Sequence, residues 1–265
     1  MHEDTPSDRA VSRKTLASRA LSLAAAAAVI GPLVYVAVTL LHPPGVEAND
    51  HPVVFREYAM SQTWIAIHLA QLACLAVGLV VGLIGIAGLA ASMLRLQENG
   101  RLLALLAVGL AAASIPTAVV LQAVDGIALK RAVDAWVAEG GTVGSPSFAA
   151  ARAMRWLEEG SNAVLGLTMG LAVILAAAAM VRGAVYPHWV GWIGGAIGIA
   201  VLIGAILVAE TGFSPTAQTW VLARNPALWL WTAVAGVLMW RRLRLLDATF
   251  PTSSRGSDQA PDPAR

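Results

Sequence analysis

The chain has little of what a water-soluble protein needs. Only 13% of its 265 residues are charged, against about 25% in an average soluble domain. Too few polar side chains remain to coat a globule of this size. With 57% of residues apolar, an intrinsically disordered chain is excluded as well. There is a single cysteine, Cys74, inside an apolar run. That rules out an intramolecular disulfide, a CxxC redox pair and a cysteine zinc site. Lysine is almost absent, with only Lys14 and Lys130, and arginine carries the positive charge. The net charge of +2 provides no basic surface for nucleic acid. Metal-binding patterns are missing too, since neither HExxH nor HxxxH occurs. An intramembrane serine protease needs a GxSG nucleophile, and Gly160-Ser161-Asn162 lacks the second glycine. No catalytic residue, cofactor site or metal site is assigned, and the balance of these absences is against an enzyme.

What the chain has is long apolar runs. A bilayer core of about 30 Å needs about 20 apolar residues in helix. Six such runs occur, at about 20–41, 63–91, 102–124, 162–181, 188–209 and 226–246. Runs this long and apolar predict helices, which satisfy their own backbone in lipid. The expected fold is therefore an all-α membrane protein of six transmembrane helices. It divides into a cytoplasmic N-terminal segment 1–19, a membrane domain 20–246 and a disordered cytoplasmic tail 247–265 rich in Ser, Pro and Asp. The first run follows Arg9, Arg13, Lys14 and Arg19 but exceeds the length of a signal-peptide core, so it reads as a retained helix.

Orientation follows from the arginines. With the N-terminus inside, the inner segments carry net +5 and the outer segments net −3. Both termini are expected in the cytoplasm and the protein in the plasma membrane. Residues 122–138 and 146–160 extend helices three and four beyond the outer boundary, with Ser145 as a cap and Pro146 at the first helical position. Between them, Gly140-Gly141-Thr142-Val143-Gly144 reads as a turn, so the two extensions form an outer hairpin.

Small residues mark close helix packing in lipid. They recur at Gly78, Gly82 and Gly85, at Gly166 and Gly170, and at Gly191, Gly194, Gly195 and Gly198. Trp64, Trp156 and Trp220 read as anchors at the outer interface, and Trp189, Trp192 and Trp240 at the inner one. Trp64, His68 and Gln71 fall on one helical face. Arg101 to Asp125 is roughly 36 Å of helix, Asn162 to Arg182 roughly 30 Å, and His68 to Arg95 roughly 40 Å. His68, Asp125 and Asn162 thus share a depth near the outer boundary. The candidate polar cluster is His68, Gln71, Gln122, Asp125, Glu159 and Asn162, with His42, Glu47, Asp50 and His51 in a first outer loop above it. The alternative reading of the cluster is a hydrogen-bonded knot that fixes helix register. Arg224 has two readings: the favoured one leaves it outside, just ahead of a short sixth helix that begins at Pro226 and relies on snorkelling of Arg241 and Arg242, and the other begins the helix near Thr219 and draws Arg224 into the outer leaflet, where it needs an acidic partner.

Certain local patterns look familiar. His42-Pro43 ends the first helix, Tyr58-Ala59 precedes Trp64-x-x-x-His68, and Pro187-x-Trp189-x-Gly191-Trp192 opens the fifth helix. In these the chain resembles uncharacterised bacterial multi-pass membrane proteins of the domain-of-unknown-function kind. That resemblance implies an integral membrane protein and no assigned activity. The expected function is a non-enzymatic helix bundle that binds a ligand or partner. The alternatives are a carrier of a small neutral or apolar solute, and metal or haem binding at the membrane edge, where only His42 with His68 could pair. The expected partners are the lipid bilayer and a small apolar or neutral ligand, and no oligomeric state is assigned.

Overall fold

The structure is a computed structural model, and it describes residues 6–42, 48–93, 98–183 and 185–249. Among these residues every regular element is helical. Helix α1 (Pro6–Thr39) is followed by the short α2 (His51–Met60). α3 (Trp64–Ala73) passes through a π-helical stretch, Cys74–Val80, into α4 (Val81–Met93). α5 (Glu98–Ala123) passes through a second π-helical stretch, Val124–Leu129, into α6 (Lys130–Ala138). α7 (Pro146–Arg182), α8 (His188–Thr211) and α9 (Pro215–Thr249) complete the chain. Six helical runs are long and apolar enough to cross a membrane: Ala17–Thr39, Trp64–Ala91, Gly100–Ala138, Pro146–Arg182, His188–Thr211 and Pro215–Leu245. This is the architecture of a multi-pass membrane protein.

α7 lies between α5 and α8, while α1 lies against both the α3–α4 run and α9. Glycine sets these approaches. A Cβ on Gly78 would strike the backbone of Gly31, one on Gly82 would strike Ala28, and one on Gly85 would strike the Ala24 methyl. The first glycine stripe therefore seats α1. Across α7 and α8, Gly170 faces Leu202 and the Gly198 carbonyl, and Gly198 faces Ile174. Gly195 has open space around its Cβ position, so it faces outward while its neighbours pack.

Two expectations about element boundaries are corrected. The segment before α3 is not simply a polar loop, because His51–Met60 is a helix. Asp50 caps it by accepting from the Val53 N–H at 3.3 Å, and Pro52 sits in its first turn. The sixth run begins at Pro215 rather than Pro226, and the helix continues through Pro226. Arg224 is therefore inside a candidate span, not ahead of one. Glu47 and residues 250–265 of the expected tail lie outside the described residues, while 247–249 continue α9.

At one end of the bundle α2, α6 and the first turns of α7 enclose a second core of Phe55, Tyr58, Trp64, Trp136 and Phe148. The α6–α7 turn needs its glycines: Gly140, Gly141 and Gly144 all have positive φ, at 94°, 64° and 91°. Ser145 then caps α7 by accepting from the Phe148 N–H at 3.2 Å, as the sequence implies. Trp64 is 1% exposed and packs inside this core.

Candidate functional site

Three polar arrangements are built into this end of the bundle and just below it. The first is centred on His68, which is 1% exposed. Its Nδ1 lies 2.7 Å from the Trp64 carbonyl one turn back, and its Nε2 lies 3.0 Å from Asp125 Oδ2. Both neighbours are acceptors. The imidazole fills both contacts either as a doubly protonated cation beside an ionised Asp125, or as the Nδ1–H tautomer beside a protonated one. In both states the pair holds one shared proton and no net charge. The Trp64 indole N–H donates to the Asp125 carbonyl at 3.0 Å. Asp125 belongs to the second π-helical stretch, and its neighbour Gly126 is where that stretch meets α3. A Cβ on Gly126 would lie 2.5 Å from the His68 Cβ. The absence of a side chain there lets the carboxylate reach the ring.

The second arrangement is an ion cluster around Arg155, 3% exposed. Its Nη1 donates to both Glu158 oxygens, at 3.0 and 2.7 Å. Its Nη2 donates to the Ala48 carbonyl at 3.4 Å, and its Nε lies 3.9 Å from Glu159 Oε1. Glu159 Oε1 in turn accepts from the Phe213 N–H at 3.4 Å. Through one arginine, α7 holds the segment before α2 and the α8–α9 turn. Around it, the Arg155 guanidinium lies 4.5 Å from the Phe213 ring centre. Burial pushes the Tyr58 phenol well above its ordinary range. His51, half-buried and stacked on Phe55, is pushed below its ordinary value by burial and by Arg155 and Arg152.

The third arrangement is a cavity of about 90 Å³ between all six long helical runs. Tyr35, Leu79, Gln122, Met169, Val201 and Leu228 line it, one from each run. Its walls are apolar apart from Gln122, Asn162, Asn225 and Arg224, together with the hydroxyl of Tyr35. Arg224 is 7% exposed. Its Nη1 donates to the Val201 carbonyl of α8, and its Nε has no partner among the described residues. Gln122, 6% exposed, also leaves its Oε1 without a partner among the described residues. Among the described residues no carboxylate forms an ion pair with Arg224. The arginine passes along a slot left by two glycines. A Cβ on Gly204 would lie 2.9 Å from its Nε, and one on Gly166 3.4 Å from its Nη1.

Five of the six residues of the expected polar cluster are thus distributed over the three arrangements, and Gln71 belongs to none of them. His68 and Asp125 meet. Glu159 joins Arg155 and the Phe213 N–H instead. Gln71 donates to the Thr39 hydroxyl at 3.2 Å. Gln122 and Asn162 line the cavity. The His42 ring centre lies 5.1 Å from that of His68, and no group of three or more metal-ligating side chains occurs among the described residues. Arg224 is the residue that sequence reasoning left outside the site. The signal was present, as Gly166 on the fourth run, but its counterpart Gly204 had no stated role. No family model, curated protein or solved structure matches the chain.

Proposed function

We propose that this chain is a plasma-membrane protein with both termini in the cytoplasm, acting as a non-enzymatic helix bundle that binds a small ligand within its membrane domain. The arginine asymmetry supports the orientation. It puts α2, α6 and the start of α7 on the outer side, where α6 and α7 form the outer hairpin. The observation that carries the binding function is the cavity. All six runs contribute to it, and its lining includes Gln122 and Arg224, each of which has a buried side-chain atom without a hydrogen-bond partner among the described residues. Buried polar groups in native proteins are nearly always hydrogen-bonded. The polar groups of these side chains beside the cavity are suited to holding a ligand, and a mostly apolar wall with a few convergent polar groups is the usual make-up of a small-molecule site.

The purified protein in detergent tests this reading through a thermal-shift screen of small amphiphiles. A ligand held in the cavity raises the unfolding temperature with concentration. Val201→Phe, which puts a larger apolar side chain into the lining, removes that rise while the protein still unfolds cooperatively. Equal shifts in wild type and Val201→Phe would place the ligand elsewhere on the protein. Stoichiometric haem, metal or flavin in the purified protein would contradict the function outright.

A further inference from the structure

From the Arg224 side of the cavity we infer that the ligand is a single-tailed amphiphile ending in a carboxylate, with the head held by the guanidinium. This rests on the ligand-binding function proposed above. Charge comes first. A guanidinium is always ionised and offers five N–H donors. An ionised side chain within a membrane-spanning helix is costly unless it is paired or faces water or a ligand path. Arg224 is 7% exposed, and among the described residues its one hydrogen bond goes to a backbone carbonyl, that of Val201. A neutral ligand would leave the positive charge uncompensated, and an anion neutralises it.

Valence and shape narrow the class. One arginine and no lysine or second arginine line the cavity, so the charge matched is that of a monoanion. A carboxylate presents two oxygens in the plane and spacing of the guanidinium fork. The Gln122 amide turns over without change of shape, so it offers that head an N–H. The cavity, of about 90 Å³, is small and suits a compact head. The remaining wall, with Leu75, Leu79, Leu121 and Leu165, is suited to methylenes. The glycine slot formed by Gly166 and Gly204 is consistent with this role. Each lacks the side chain that would press on the arginine.

The test is equilibrium binding of labelled dodecanoate to the full-length protein in a neutral maltoside detergent, with four competitors: dodecanoate, dodecanol, acetate and phosphatidylglycerol. Dodecanoate is expected to bind saturably, one per chain, at least tenfold tighter than dodecanol and acetate. Arg224→Met should weaken it more than tenfold. Arg224→Lys, which keeps the charge and loses the fork, should weaken it less. If dodecanol competes as well as dodecanoate and both are lost in Val201→Phe, the cavity is a ligand site but the anionic assignment is wrong. If acetate competes equally, the ligand is a soluble anion and the amphiphile is wrong. If phosphatidylglycerol displaces the label at lower concentration than dodecanoate does, the head is a lipid phosphate. If wild type binds neither dodecanoate nor dodecanol while still unfolding cooperatively, this inference and the ligand-binding function fall together. The wild-type comparison of ligands needs no variant, so a misfolded Arg224 variant does not protect the proposal.

Discussion

The His68 ring lies between the Trp64 carbonyl and the Asp125 carboxylate, with the shared proton between its Nε2 and Asp125. Charge-assisted hydrogen bonds are the stronger kind, about 1.5–3 kcal/mol against about 1 for neutral ones. A double-mutant cycle of His68→Gln and Asp125→Asn, read by unfolding in detergent, should therefore give a coupling above about 1 kcal/mol. A coupling near the ~0.6 kcal/mol average of interhelical polar contacts would make the pair ordinary packing. Gly126→Ala tests the same contact sterically, since the added Cβ would lie 2.5 Å from the His68 Cβ. Overpacking of this kind costs about 1–3 kcal/mol. At the α2 end, His51 titrates below its ordinary value in the folded protein. The folded state therefore takes up its proton later than the unfolded state as pH falls. The stability it contributes is complete above the unfolded value of 6.5 and is lost as pH drops below it. His51→Phe should flatten that part of the stability–pH curve, and an unchanged slope would show that His51 is not its source.

The helices themselves were legible in the sequence because their cause is local. Twenty apolar residues need no partner to be recognised as a span. The glycine stripes were legible for the same reason, and they seat α1 on the α3–α4 run and α7 on α8. Gly198→Ile should lose more than about 2 kcal/mol, because the Cβ position already meets Ile174 and the Gly170 carbonyl. Gly195→Ala, with open space at its Cβ, should be neutral or slightly stabilising through helix propensity. Similar losses at both positions would mean that the stripe is not the packing face. The start of α9 was not legible. Pro226 reads as the first residue of the last span, yet the helix already runs through Arg224, because the slot that accepts the arginine belongs to α7 and α8. α2 was passed over as a loop although Asp50 and Pro52 carry a helix-start signature. The π-helical stretches leave no mark in the sequence beyond Gly78 and Gly126. In the same way, the depth count brought His68 and Asp125 together but could not tell that Glu159 turns away from them, toward Arg155 and the Phe213 N–H. Rotation about a helix axis is fixed by tertiary contacts.

At the scale of the whole molecule, the bundle combines an aromatic and ionic end with a central cavity that all six runs share. Its orientation is open to direct reading by reporter fusions. Fusions after Gly183 and Arg244 should report cytoplasm, and fusions near Gly141 and Thr216 should report the outside. A reversed set would overturn the arginine asymmetry as a guide to this chain. The claim on which function depends is narrower: the cavity beside Arg224 is a place where one molecule binds. Native mass spectrometry of the protein released from lipid nanodiscs measures this most directly. A ligand site in the cavity gives one retained small-molecule adduct per wild-type chain that is absent from Val201→Phe. A wild-type spectrum free of any adduct, or the same adduct in both proteins, would contradict it.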